Sequence, residues 1–282
     1  MAARPSPWPR AGRGALLLAA ALLGGVPRVT RAAPPASAGA AVLRIAANPI
    51  YPPLEFRDPL TDRLTGFDIA LGEALAQRMT MRAVWQETSF PQMIPSLQSQ
   101  RTDMILSGFS DLPSRRGALD FVRYLKSGAQ VLVLRDDPIH RPEDLCGKYV
   151  AASRATAFPA MIRDWSRVHC AQAGHPDMVV YPSESGADAR TQLLQGRVSA
   201  MVQGSETVGY FIDITHGAFR RLGTPLSMSY LAMAFAKSRP DLREGARAAL
   251  GAMIADGTYA RLLRRWSLQE DAIEMPSGDT AP

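Results

Sequence analysis

The sequence predicts an α/β protein with helices covering parallel or mixed sheets. Three observations support this. From residue 42 onward, short apolar runs alternate with amphipathic stretches of helical period. The alternation continues almost to the C-terminus with no internal repeat. Small and turn-forming residues follow several of the apolar runs, at the strand ends where such folds bind ligands.

Taken in order, residues 1–32 read as an export signal peptide that the mature chain lacks. Arg4, Arg10 and Arg13 form a positive region, and residues 14–26 form an apolar stretch too short to span a bilayer. Thr30, Arg31 and Ala32 then offer a small-x-small cleavage site. Residues 33–41, composed of Ala, Pro, Ser and Gly, read as a disordered lead-in. A strand is predicted over 42–47, and a helix over 66–79 with Phe67, Leu71, Ala74, Leu75 and Ala76 on one side. A strand at 81–86, a helix at 90–99 and a strand at 103–106 follow. Beyond these, strands are predicted at 129–134, 149–152, 178–181 and 198–202, with helices at 156–167, 186–195 and 205–214 among them. A last strand at 231–236 precedes helices at 240–255 and 258–266. No later apolar run is long enough to cross a membrane.

Charge excludes a polyanion-binding class. The chain carries +6, but residues 1–32 hold five arginines and no acid, leaving 27 basic against 26 acidic residues. Nothing in that balance argues for nucleic acid or an anionic surface. Roughly 240 residues beyond the lead-in suffice for one large or two small domains.

Cys146 and Cys170 fit an oxidising compartment, where a bond between them would contribute roughly 3 kcal/mol by loop entropy. A rival reading adds His169 and His175 to make a zinc site. That spacing matches no common zinc module, and His169 beside Cys170 is awkward for tetrahedral ligation. HExxH, GxSxG, P-loop, CxxC and GxGxxG motifs are absent, and the four histidines are scattered. Glu184 and Asp188 read as a solvated helix face. Hydrolytic, redox and metal chemistry therefore have little support, and no cofactor is implied.

The segment 103–115 is the most informative. An apolar strand delivers Ser107, Gly108 and Ser110 to its C-terminal end, and Arg115 follows five residues later. Small hydroxyls, backbone N–H groups and a planar guanidinium together suit a ligand carboxylate. Asn48 to Tyr51 and Ser153 to Thr156 occupy comparable strand ends.

With these pieces in order, the chain resembles the family 3 bacterial extracellular solute-binding proteins, the periplasmic receptors of polar amino-acid ABC transporters. The resemblance runs from about Val42 to Ile273. It rests on Tyr51-Pro52-Pro53-Leu54-Glu55-Phe56 and on Gly66-Phe67-Asp68-Ile69-Ala70-Leu71, where Ala70 replaces a usual acid. It rests also on Phe90 with Met93-Ile94-Pro95-Ser96-Leu97, on the segment from Ser107 to Arg115, and on Asp256-Gly257-Thr258-Tyr259 with Trp266. The resemblance implies a type II periplasmic-binding-protein-like fold of two lobes joined by two hinge strands, near 126–130 and 225–231. Lobe 1 would comprise 42–127 and 231–275, lobe 2 would comprise 128–230, and 276–282 would be a tail. Both cysteines would then lie in lobe 2.

At residue level it implies walls from Tyr51 and Phe90 and a carboxylate site from Ser107, Gly108, Ser110 and Arg115. A second-lobe loop would contribute Arg154 and Thr156, although Ala155 replaces a usual glycine and Ala157 a usual hydroxyl. Gln203 would line the site. Gly204 stands where the family typically has an aspartate for the ligand's α-ammonium. Either Glu206 supplies that charge from a shifted position, or the ligand is not an ordinary α-amino acid; Glu206 also fits as a plain helix-start residue. The expected function is capture of a small carboxylate-bearing, amino-acid-like solute, without catalysis, for an inner-membrane ABC permease. The receptor would be a periplasmic monomer. Two alternatives share the fold: an arogenate or prephenate dehydratase using Glu206 as its acid, and a transporter-independent sensory or accessory binding protein.

Overall fold

The computed structural model describes residues 39–275. The expected signal peptide, most of the lead-in and the tail at 276–282 lie outside the described residues. The chain opens with β1 (Ala41–Ala47), which starts inside the expected lead-in. Three short strands, β2 (Ile50–Tyr51), β3 (Glu55–Arg57) and β4 (Leu64–Thr65), form a small antiparallel sheet of their own. Then come α1 (Phe67–Arg78) and β5 (Met81–Glu87). The helix expected at 90–99 is divided into a 3-10 turn at Phe90–Gln92 and α2 (Met93–Gln98), with Pro91 opening the turn. Next are β6 (Met104–Ile105), the single turn α3 (Pro113–Arg116) and β7 (Leu119–Leu134).

The second stretch contains β8 (Tyr149–Ser153), α4 (Phe158–His169), β9 (Val179–Ser183), α5 (Gly186–Leu194), β10 (Ala200–Gly204), α6 (Ser205–Ile214) and β11 (Phe219–Leu222). The chain then returns through β12 (Met228–Ala236) to α7 (Pro240–Ala255) and α8 (Thr258–Trp266).

β7 organises the molecule. It is 16 residues long, where the sequence predicts a strand only at 129–134. Its first part pairs antiparallel with β12, and its last part pairs with β10 and β11. Strand order is β5-β1-β6-β12-β7-β10-β8-β9, with β11 also on β7. Asp120, Arg123 and Lys126 interrupt the apolar run and hide the strand from a hydropathy reading. Two of them are paired: Asp120 binds Lys237 and Arg243, and Arg123 binds the buried Asp111. β11 is hidden in the same way by Arg220 and Arg221.

The buried side chains sort along β7. One pair of clusters packs on the two faces of β1, β6 and β12 and draws on residues 43–125 and 231–273. Another pair packs around β8 and β10 and draws on residues 129–222. Among the described residues, β7 and the chain entering β12 pass between them. Where they pass, a Cβ on Gly128 would lie 2.7 Å from Pro225, so the two crossing segments are in close contact. Cys146 and Cys170 form a disulfide inside the second group, where Cys170 is fully buried. Bonded sulfurs are not thiolate ligands, so the rival zinc reading loses its two cysteines. No helix among the described residues is long and apolar enough to cross a membrane.

Candidate functional site

A cavity of about 340 Å³ opens between the two groups of elements, a size common for small-molecule sites. Its walls come from the ends of β1 and β6, the turn before α2, and Leu231 on one side. On the other are the loops opening α4 and α5 and the end of β10. Tyr51, Phe90, Ser107, Gly108, Ser110, Arg115, Arg154, Thr156 and Gln203 all line it. Glu206 does not.

Arg115 is the notable charge. Its guanidinium lies 4.1 Å from the Phe109 ring centroid and 6.0 Å from that of Phe90, and it donates to the Ser110 carbonyl at 2.9 Å. It forms no ion pair among the described residues. Burial alone lowers its pKa to about 10. Its neighbour Arg116 instead binds Asp111 at 2.8 Å, so the two adjacent arginines are separated in role.

The serines and the glycine build the floor. The Ser107 hydroxyl donates to Glu55 Oε1 at 2.7 Å and accepts the Asn48 N–H at 2.9 Å, so both of its capacities serve the protein. The Gly108 N–H, expected to face a ligand, donates to Asp68 Oδ2 at 2.8 Å. Gly108 has φ +51°, and a Cβ there would lie 2.8 Å from the Tyr51 ring. The position therefore needs glycine for its backbone and for its ring contact.

Beneath the floor lies a carboxyl pair. Glu55 and Asp68 are both buried, and one oxygen of each, Glu55 Oε2 and Asp68 Oδ1, has no hydrogen-bond partner. Burial lifts Glu55 well above the carboxylate range, and the charge of Asp68 adds to this. Burial likewise raises Asp68 to about 6, against the opposing bonds from Gly108 and Tyr124.

On the opposite wall, the Thr156 hydroxyl donates to the Ser153 carbonyl at 2.7 Å, which organises the turn into α4. Arg154 pairs with Glu184 at 2.7 Å on the exposed rim. Glu184, read from the sequence as a solvated face, stays exposed and also reaches the cavity rim, while Asp188 accepts the Glu184 N–H and donates its own N–H to Ser185 Oγ. Gln203 is buried, and its Nε2 has no hydrogen-bond partner. A Cβ on Gly186 would lie 1.7 Å from that nitrogen. Gly186 therefore makes room for Gln203, a packing role with no local sequence signal.

Glu206 departs from its expected place at the ligand. Its carboxylate folds back over Gly204, where an added Cβ would lie 1.9 Å from Oε1. The Tyr51 hydroxyl donates to Oε1 at 2.9 Å and the Ser127 hydroxyl to Oε2 at 2.7 Å. Burial raises its pKa, and these two bonds oppose the rise. The tyrosine ring thus lines the cavity while its hydroxyl holds the acid behind it. Ser127 lies within the part of β7 that the sequence hides, and Phe109 carries no motif of its own.

Residues 43–269 match the model of the bacterial extracellular solute-binding proteins, family 3. An arginine-binding protein of Corynebacterium glutamicum is 30% identical over 254 residues, covering 88% of this chain and 82% of its own. Among solved structures, an ancestral arginine-binding protein bound to arginine superposes with a TM-score of 0.70 at 26% identity, covering 80% of this chain and 98% of that one. An ancestral amino-acid-binding protein described as a precursor of cyclohexadienyl dehydratase gives 0.68 at 28% identity, covering 80% and 95%.

Proposed function

The chain belongs to the bacterial extracellular solute-binding proteins, family 3, and on that premise we propose that it captures a small, carboxylate-bearing, amino-acid-like solute in the cavity beside Arg115. The solute then passes to an inner-membrane ABC permease. Relatives named for arginine binding support the amino-acid class of cargo and the transport setting. The signal-like segment at 1–32 supports export to the periplasm. The two groups of elements act as lobes 42–127 with 231–275 and 128–230, and they close around the ligand as a monomer.

One observation carries the reading: Arg115 is a largely buried cation in the cavity wall with no carboxylate partner among the described residues. An unpaired buried charge is costly, and a ligand carboxylate would relieve it. Phe90 and Phe109 hold the guanidinium plane, so a bidentate contact needs little further ordering. Capture proceeds without turnover. The acid that a dehydratase would require, Glu206, lies behind Tyr51 and outside the cavity.

Titration calorimetry with free amino acids and their 2-oxo and 2-hydroxy counterparts tests the site. Charge-assisted bonds contribute roughly 1.5–3 kcal/mol each, so Arg115→Ala should weaken the best binder at least about tenfold. Unchanged affinity in that variant would remove Arg115 from the site.

A further inference from the structure

We infer that the ligand is a monoanion, a 2-oxo or 2-hydroxy acid with an apolar body, and that the cavity disfavours the zwitterion of an α-amino acid. The inference rests on the reading that Arg115 receives a carboxylate, and it follows from a charge inventory of the cavity. Four charged residues line it: Glu55, Arg115, Arg154 and Glu184. Arg154 and Glu184 neutralise each other at 2.7 Å. Glu55 is buried at the cavity floor, with Oε1 held by the Ser107 hydroxyl and Oε2 fully buried, so its carboxyl is not presented to the ligand. Asp68 lies below the floor, where its Oδ2 accepts the Gly108 N–H and the Tyr124 hydroxyl. Arg115 alone remains unbalanced, and one negative charge on the ligand completes the site. A ligand ammonium would add a second cation with no carboxylate free to meet it, since Glu184 is taken by Arg154 and Glu55 is buried under Ser107.

The one nearby acid that could meet an ammonium is sealed. Glu206 has both oxygens bound by hydroxyls, from Tyr51 and Ser127, and Tyr51 stands between it and the cavity. Gly204 cannot carry an acid in its place while Glu206 is folded back, because its Cβ would lie 1.9 Å from Glu206 Oε1 and 2.5 Å from the Tyr51 hydroxyl. Besides the fully buried Glu55 Oε2, the cavity wall holds an unpartnered donor among the described residues, the buried Gln203 Nε2. A donor suits an oxygen at C2 of the ligand and not an ammonium. Ile50, Phe90, Phe158 and Leu231 supply the apolar surface for the rest of the molecule.

Matched pairs test this on the wild-type protein at pH 7. Calorimetry compares 4-methyl-2-oxopentanoate with L-leucine, phenylpyruvate with L-phenylalanine, and 5-guanidino-2-oxopentanoate with L-arginine. The oxo acid should bind at least about tenfold more tightly in each pair that binds. An amino acid that binds as tightly as its oxo partner overturns the inference. If that binding is lost in Arg115→Ala, the carboxylate site itself still stands. Failure of all six compounds to bind overturns both. The double variant Gly204→Asp/Glu206→Ala places an acid at 204 with the Glu206 clash removed and the Tyr51 hydroxyl left to shift, and should reverse the order within a pair. Retention of the wild-type order in a double variant that melts cooperatively contradicts the inference. Should that variant not fold, the wild-type pairs decide alone.

Discussion

At Gly108 one absent methyl group shapes the cavity floor. Its φ of +51° and the 2.8 Å approach of a Cβ to the Tyr51 ring mean that Gly108→Ala strains the backbone and displaces the tyrosine. That variant should lose about 1–3 kcal/mol of stability by denaturant unfolding and weaken ligand binding measured by calorimetry. A second residue-scale prediction concerns pH. Burial raises Asp271 to about 7, with the charge of Glu206 adding to the rise and Arg221 opposing it. Its unfolded pKa is about 3.9. The native state therefore holds its proton more tightly, and the stability this gives is complete below about pH 4 and lost as pH rises through 7. Asp271→Asn should flatten that decline, read as a smaller drop in melting temperature between pH 5 and pH 8 than in wild type. Individual residues were legible in the sequence where a strand end or a motif announced them, as with Arg115 and Gln203. Glu206 was not, because the Tyr51 hydroxyl that turns it away comes from 155 positions earlier in the chain.

Elements were legible where apolar period and turn chemistry agreed. The amphipathic stretch of α8 and the Pro-led start of α7 are examples. β7 was legible only in its last third, since the partners that neutralise Asp120 lie 117 and 123 positions away and that of Arg123 lies in the turn before the strand. Hydropathy along the chain carries no trace of such pairs. The disulfide belongs to this scale as well. Cys170 sits in the core around β8, with Cys146 packed against it, so the bond ties one group of elements and spans no crossing. Replacing both cysteines with alanine should cost roughly 3 kcal/mol in denaturant unfolding. Ligand affinity by calorimetry should stay within about twofold of wild type, since neither cysteine lines the cavity.

For the whole molecule, the cavity walls come from two separately packed groups of elements joined by β7 and the entry to β12. A ligand touching both walls favours the closed arrangement by its differential contacts. Small-angle scattering should therefore show a smaller radius of gyration with ligand than without, and Arg115→Ala should need more ligand for the same contraction. The central claim is that the cavity holds a small carboxylic acid on Arg115. The most direct measurement is mass spectrometry of the compounds released on denaturing protein purified from its own cells. The account predicts one acid of amino-acid size, near stoichiometric in wild type and depleted in Arg115→Ala. A released compound with no carboxylate, or an acid retained equally by the variant, would contradict it.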